Sequence, residues 1–192
     1  MRDFYAKQDP EFVSVEHKRN SVKTLEPKGL SNQQVRNYLQ SVDGQKYIAK
    51  IAKADPELPF PDILERAISH VASGSTVPVT TSITTPLVKI VPVTQEGVSA
   101  YSPFFTTMEE LQAAAKSDKT LADALGLPVT SENARYRVFE ITPLQPTEVF
   151  KSTVAPTVEF GGRITRTGGA AQYLVPNRQE WSAAKLIGEM DN

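Results

Sequence analysis

With no cysteine and only two histidines, His17 and His70, the chain has no thiolate nucleophile, no disulfide framework and no cysteine-ligated zinc. A serine–histidine triad or a histidine-rich metal site would have to use one of those two imidazoles. Neither lies in a recognisable nucleophile motif with a serine and a carboxylate, and no metal is expected. His17 falls in a charged stretch. His70 lies beside Val71 in an apolar stripe, where a helix-surface or interface histidine is the plain reading. Lys89 interrupts Leu87, Val88, Ile90 and Val91. A lone cation in a buried type of strand is costly unless paired or exposed, so Lys89 either points to a wet face or holds an anionic ligand. Gly161-Gly162 and Gly168-Gly169 bracket Arg163, Ile164, Thr165 and Arg166. Their spacing matches neither a Walker loop nor the dinucleotide fingerprint, and hairpin or bulge geometry is the simpler reading. The two guanidiniums still hint at an anion site, since arginines three apart diverge on a strand but can converge in a loop. Ser152-Thr153 follow Val149-Phe150, and Gln172 precedes Tyr173-Leu174-Val175. Each is ordinary on a strand, although a neutral amide there can orient a hydroxyl or a water.

The elements that must carry these groups fall into two parts. Residues 1–30 are polar, mixed in charge and weakly periodic, and read as a partly ordered arm. Ser31 through Gln34 has the form of a capping box, followed by Val35, Tyr38, Leu39 and Val42 on one helical face. Asp43-Gly44 is expected to break that helix. Tyr47, Ile48, Ile51 and Ala52 make a second stripe ending at Asp55-Pro56. Pro61 can open a third helix, with Ile63, Leu64, Ala67, Ile68 and Val71 inward and Gly74 closing it. Residues 31–74 thus form a small helical bundle, a cap or entry module. The uncharged stretch 75–85 is a linker, or an extended strand entering the next unit. Residues 86–192 change to strand-like runs: Leu87–Val93, Arg135–Thr142, Glu148–Val154, Ala170–Val175 and Lys185–Met190. Between the first two lie an aromatic turn, Tyr101 to Phe105, a helix capped by Thr106/Thr107 and a short helix over Thr120–Leu125. The expected fold class is α+β, with a small helical bundle followed by a strand-rich domain.

Charge narrows the function. The net charge is −1, with eleven Lys+Arg against ten Asp+Glu in residues 1–80 and ten against twelve in 81–192. Neither half has the basic excess that usually accompanies phosphate-backbone binding, so a nucleic-acid partner is disfavoured. No run approaches the roughly 20 apolar residues that span a bilayer. Met1-Arg2-Asp3-Phe4-Tyr5 lacks the apolar core of a standard signal peptide, which leaves delivery without a local signal or within a larger parent chain.

Taken in order, these pieces resemble a known group. The C-terminal unit is similar to the toxin domains at the ends of bacterial polymorphic toxins used in contact-dependent growth inhibition. Within those it resembles the ADP-ribosyltransferase-like group, including NAD glycohydrolases of the tuberculosis necrotizing toxin type. The resemblance covers about residues 85–190 and rests on short motifs. Leu87-Val88-Lys89-Ile90-Val91 is similar to the first strand with its basic NAD-binding residue. Tyr101-Ser102-Pro103-Phe104-Phe105-Thr106-Thr107 is similar to the aromatic segment, and Phe150-Lys151-Ser152-Thr153-Val154-Ala155-Pro156 to the Ser-Thr strand. Gly168 to Pro176 resembles the late catalytic strand, and Lys185 to Met190 closes the sheet. Two departures matter. Lys89 stands where the group usually has Arg or His, and lacks the bidentate fork. Ala170 and Gln172 stand where transferases carry a Glu-x-Glu pair, which tilts the resemblance from transfer toward hydrolysis.

The resemblance implies an antibacterial toxin domain that cleaves NAD, its substrate rather than a resident cofactor, at the nicotinamide–ribose bond. It implies Gln172 and Ser152 as catalytic residues. It implies Lys89, with Arg163 or Arg166, at phosphate, Tyr101, Phe104 or Phe105 in stacking, and Thr153 beside Ser152 in NAD binding. It also implies a cognate immunity protein and delivery from a bacterium into the target-cell cytoplasm. The alternatives are an ADP-ribosyltransferase acting on protein or RNA, an RNase toxin, and a non-enzymatic phage or secretion-system structural protein.

Overall fold

The structure, a computed structural model, describes residues 25–192. His17 and the expected polar arm up to residue 24 lie outside the described residues. Strand β1 (Glu26–Pro27) is followed by helix α1 (Asn32–Gln40), entered through the expected capping box: Ser31 Oγ accepts from the Gln34 N–H and Gln34 Oε1 accepts from the Ser31 N–H. Val35, Tyr38 and Leu39 are its buried face.

Asp43-Gly44 does not break a helix, contrary to the expectation. Ser41 ends α1 and also caps α2 (Val42–Ala54), accepting from the Gly44 N–H, so Asp43 and Gly44 form the first turn of α2. Gly44 is there because the two helices touch at it: a Cβ would lie 2.0 Å from the Tyr38 carbonyl oxygen. Val42, assigned inward by periodicity, is 77% exposed for the same reason, since it belongs to the second helix. Helix α3 (Phe60–Ala72) buries Ile63, Ala67, His70 and Val71, spaced i, i+4, i+7, i+8. That stripe contains His70 and leaves out Ile68, which is exposed.

The remaining elements are β2 (Val79–Ile83), β3 (Leu87–Pro92), β4 (Phe104–Phe105), α4 (Met108–Ala115), α5 (Leu121–Ala124), β5 (Arg135–Ile141), β6 (Thr147–Thr153), β7 (Thr157–Glu159), β8 (Ile164–Arg166), β9 (Ala171–Leu174) and β10 (Lys185–Asp191). The chain is α+β with an N-terminal helical part. All strand pairs are antiparallel. One sheet has the order β2-β6-β9-β4, a second β10-β5-β3 and a small third β1-β7-β8. A bridge between Val88 and Thr106 joins the first two at β3 and β4.

Alternation along β6 and β9 gives the four-stranded sheet two different faces. Phe150 and Leu174 turn toward the helices and share a core with Tyr38, Tyr47, Ile51, Ile63 and Val71. Val149 and Tyr173 turn the other way and pack with Phe105, Leu87, Ile141 and Trp181. A third core places α4 and α5 on β3 and β5 through Leu111, Leu121, Val88, Ile90, Tyr136 and Val138. Tyr47, fully buried, meets Phe150 edge-on at 4.8 Å between ring centroids.

Because helices and sheet share one core, they should unfold as one unit. Tyr47→Ala should cost about 3 to 5 kcal/mol. In urea titrations its helical circular dichroism and the fluorescence of Trp181, the chain's one tryptophan, should shift together to lower denaturant. Separated transitions would show two independent domains.

Candidate functional site

The two residues implied as catalytic are neighbours across a strand pair. Ser152 on β6 is in register with Gln172 on β9. Gln172 Nε2 donates to Ser152 Oγ at 2.9 Å and to Ser73 Oγ at 3.0 Å. Ser73, just past α3, donates in turn to the His70 carbonyl at 2.6 Å. With both amide hydrogens taken up, Gln172 Oε1 is the group left to accept, 3.5 Å from Ser73 Oγ. The seam lies under the end of α3. Ser152 and Gln172 are each 5% exposed, and a Cβ on Gly74 would lie 3.0 Å from Ser152 Oγ and 3.3 Å from Gln172 Nε2. Thr153, in register with Ala171, is held through its backbone by Thr76 Oγ1 and the Ser75 N–H.

The aromatic segment divides. Phe104 and Phe105 are consecutive on a strand and so face opposite ways. Phe104, in register with Leu174, lies on the face that carries Ser152 and Gln172. Its ring stands 5.8 Å from that of His70, with the Lys89 ammonium 5.9 Å from its centroid. Phe105 enters the opposite core, with the Arg178 guanidinium 5.0 Å over its ring. Tyr101 is partly exposed beneath the Arg66 guanidinium at 5.8 Å. Lys89 is half-buried on β3, and its Nζ donates to Ser102 Oγ at 2.6 Å.

Arg163 and Arg166 are placed apart from this group, on the small β1-β7-β8 sheet. Arg166 bonds Glu132 and the Leu127 carbonyl. Arg163 is exposed just after Gly161 and Gly162, both with positive φ, which is the turn geometry that the glycine pair suggested. The structure thus gathers Ser152, Gln172 and Phe104 on one face with Lys89 at its edge, while Thr153, one residue past Ser152, turns to the other face with Ala171. Phe105 and the two arginines are elsewhere, and Tyr101 lies exposed against Arg66.

Sequence reasoning left three groups out of the site: His70 and Ser73 at this face, and Arg178 at the opposite core. His70 was recoverable, because it falls on the Ile63–Ala67–Val71 period. Its Nδ1 lies 2.9 Å from the Tyr47 hydroxyl. Burial, with the Arg66 charge as a lesser cause, lowers its pKa to about 3, so it is a neutral imidazole bonded to a neutral phenol. Ser73 and Arg178 had no sequence signal. Their contacts come from residues about a hundred positions away or from a loop without periodicity. Among the described residues no cluster of His, Asp or Glu could hold a metal, and no helix is long and apolar enough to cross a membrane.

No family model and no curated protein matches the chain. Among solved structures, one described as Rhs1-CT in complex with cognate immunity protein RhsI1 aligns over 63% of this chain and 86% of its own, at 14% identity and a TM-score of 0.42.

His70 carries a pH prediction. Its folded pKa lies below the unfolded value, so the unfolded chain binds the extra proton. The stability from neutral His70 is complete above about pH 6.5 and is lost as pH falls toward 3, at up to about 1.4 kcal/mol per unit. Urea midpoints measured across this range should fall more steeply for the wild type than for His70→Gln. Equal slopes would mean that His70 does not titrate between the two states.

Proposed function

We propose that this chain is a toxin domain that hydrolyses NAD at the nicotinamide–ribose bond. The observation that supports the reading is the Ser152–Gln172 pair. Two motifs separated in sequence, each weak alone, meet across β6 and β9 with the amide donating to the hydroxyl. In the reaction the bond between the anomeric carbon and the pyridinium nitrogen breaks, and nicotinamide leaves with the electron pair. Water adds to the oxocarbenium-like ribose and releases a proton, giving ADP-ribose. Gln172 Oε1 accepts from the attacking water or a ribose hydroxyl. Ser152 fixes the amide and also contacts the ribose. Phe104 stacks on the nicotinamide, and Lys89 supplies positive charge for the phosphates. Since Ser73 and Gly74 rest on the pair, turnover requires the end of α3 to move off Gln172.

The test is release of nicotinamide from NAD by the purified protein. Gln172→Ala should lower the rate by about a hundredfold or more while the protein keeps its circular dichroism spectrum. Full activity in that variant removes Gln172 from the mechanism, and no release by the wild type, with RNA degraded instead, replaces the chemistry. A toxin of this kind also requires a cognate immunity protein: expression in bacteria should arrest growth, and co-expression of the adjacent reading frame should restore it.

The burial of the pair favours a second reading. Ser152, Gln172 and Ser73 then form only a polar seam that registers the helices on the sheet, in a non-enzymatic protein. On that reading Gln172→Ala costs about 1 to 3 kcal/mol of stability, and neither growth nor NAD responds to the wild-type protein.

A further inference from the structure

The turn that follows β9 contains a charge without a counter-charge among the described residues. Arg178 is half-buried, and two of its guanidinium nitrogens, Nε and Nη1, are withdrawn from water with no hydrogen-bond partner among the described residues. Burial alone lowers its pKa from the usual arginine value. The carboxylate nearest in sequence, Glu180, is taken up by Lys50 at 2.7 Å, with Thr147 Oγ1 also in reach. Phe105 offers the guanidinium a ring face, which offsets part of the desolvation and satisfies none of the N–H groups. The preceding residue repeats the pattern. Asn177 is 1% exposed; its Oδ1 accepts from the Gln179 N–H at 2.9 Å, which fixes the amide, and its Nδ2 has no partner. Consecutive residues therefore present three buried donor atoms and no acceptor. A buried donor left without an acceptor is costly, and one that persists points to an acceptor other than the described residues.

We propose that Arg178 and Asn177 form an oxyanion-binding subsite, which holds the pyrophosphate of the dinucleotide substrate. The assignment to a dinucleotide rests on the reading above; the oxyanion subsite rests on the unpaired donors alone. It lies five residues beyond Gln172, in the turn that leaves the same strand, with Arg178 over Phe105 on the opposite face of the sheet, so a dinucleotide that reaches both must pass the β4 edge. A guanidinium suits a phosphoryl oxygen better than the Lys89 ammonium, because its N–H groups have fixed directions.

The test uses the full chain and inorganic pyrophosphate as the probe. Pyrophosphate at millimolar concentration should raise the Tm of the wild type by about 3 °C or more. Arg178→Met should abolish that rise and unfold, without ligand, at a temperature no lower than the wild type, because it removes an unpaired charge. Arg178→Lys should keep a reduced rise. No rise in the wild type, or an equal rise in Arg178→Met, overturns the subsite, and so does a marked fall in the Tm of ligand-free Arg178→Met, which would make the arginine structural. In NAD hydrolysis, Arg178→Met should raise KM about ten- to a hundredfold. An unchanged KM overturns the assignment of the subsite to the dinucleotide and leaves the NAD reading standing. An arginine-dependent pyrophosphate shift in a protein that does not cleave NAD keeps the subsite and retires the dinucleotide.

Discussion

One apolar row governs the arrangement. Phe150, Leu174 and Phe104 stand side by side on three strands and face the same way, with Phe150 and Leu174 completely buried. The face that holds them also carries Ser152 and Gln172. Something must cover such a row, and the three N-terminal helices do so with Tyr47, Ile51, Ile63 and Val71. Once that cover is in place, the polar pair one step along the strands is enclosed with it. Its hydrogen-bonding groups must then be met from the helical side, and Ser73 meets them. The closeness of Gly74 follows from the same constraint, since any side chain there would press on Ser152. Burial of the row and closure of the polar seam are one event.

The opposite face of the sheet meets its partners differently. Val149, Tyr173 and Phe105 pack against Leu87 and Ile141 of the second sheet, so the two sheets join at an apolar layer entered by the Arg178 guanidinium. The helix-facing side has every donor of the Gln172 amide satisfied, whereas the turn after β9 has three donors that are not. A protein interior tolerates that asymmetry where a ligand completes it.

Much of this was legible in the sequence, for physical reasons. The capping box at Ser31, the β-type runs and the α+β class depend on local pattern, and local pattern survives folding. The errors came where two elements meet. Asp43-Gly44 has the composition of a breaker, but Ser41 restarts the helix at once and the glycine serves a helix–helix contact. His70 was set aside for its chemistry although its position in the period is a core position. The aromatic segment left open which of Tyr101, Phe104 and Phe105 would stack, and strand alternation sends Phe104 and Phe105 to different cores. The orphaned donors at Asn177 and Arg178 were invisible, because lacking an acceptor is a property of the surroundings and not of the residue.

The topology also fixes an order of events in synthesis. Lys46 and Glu148 meet across 102 positions, and the four-stranded sheet gathers strands that start at residues 79, 104, 147 and 171. A ribosome therefore releases the helices long before the surface they cover exists. Until the segment through Leu174 emerges, the stripe of Tyr47, Ile51 and Val71 has nothing to pack on, and short helices without a packing partner are marginal in water. The helices thus wait for their partner until residues up to Leu174 are made, and close on it with the slow kinetics that distant contacts impose.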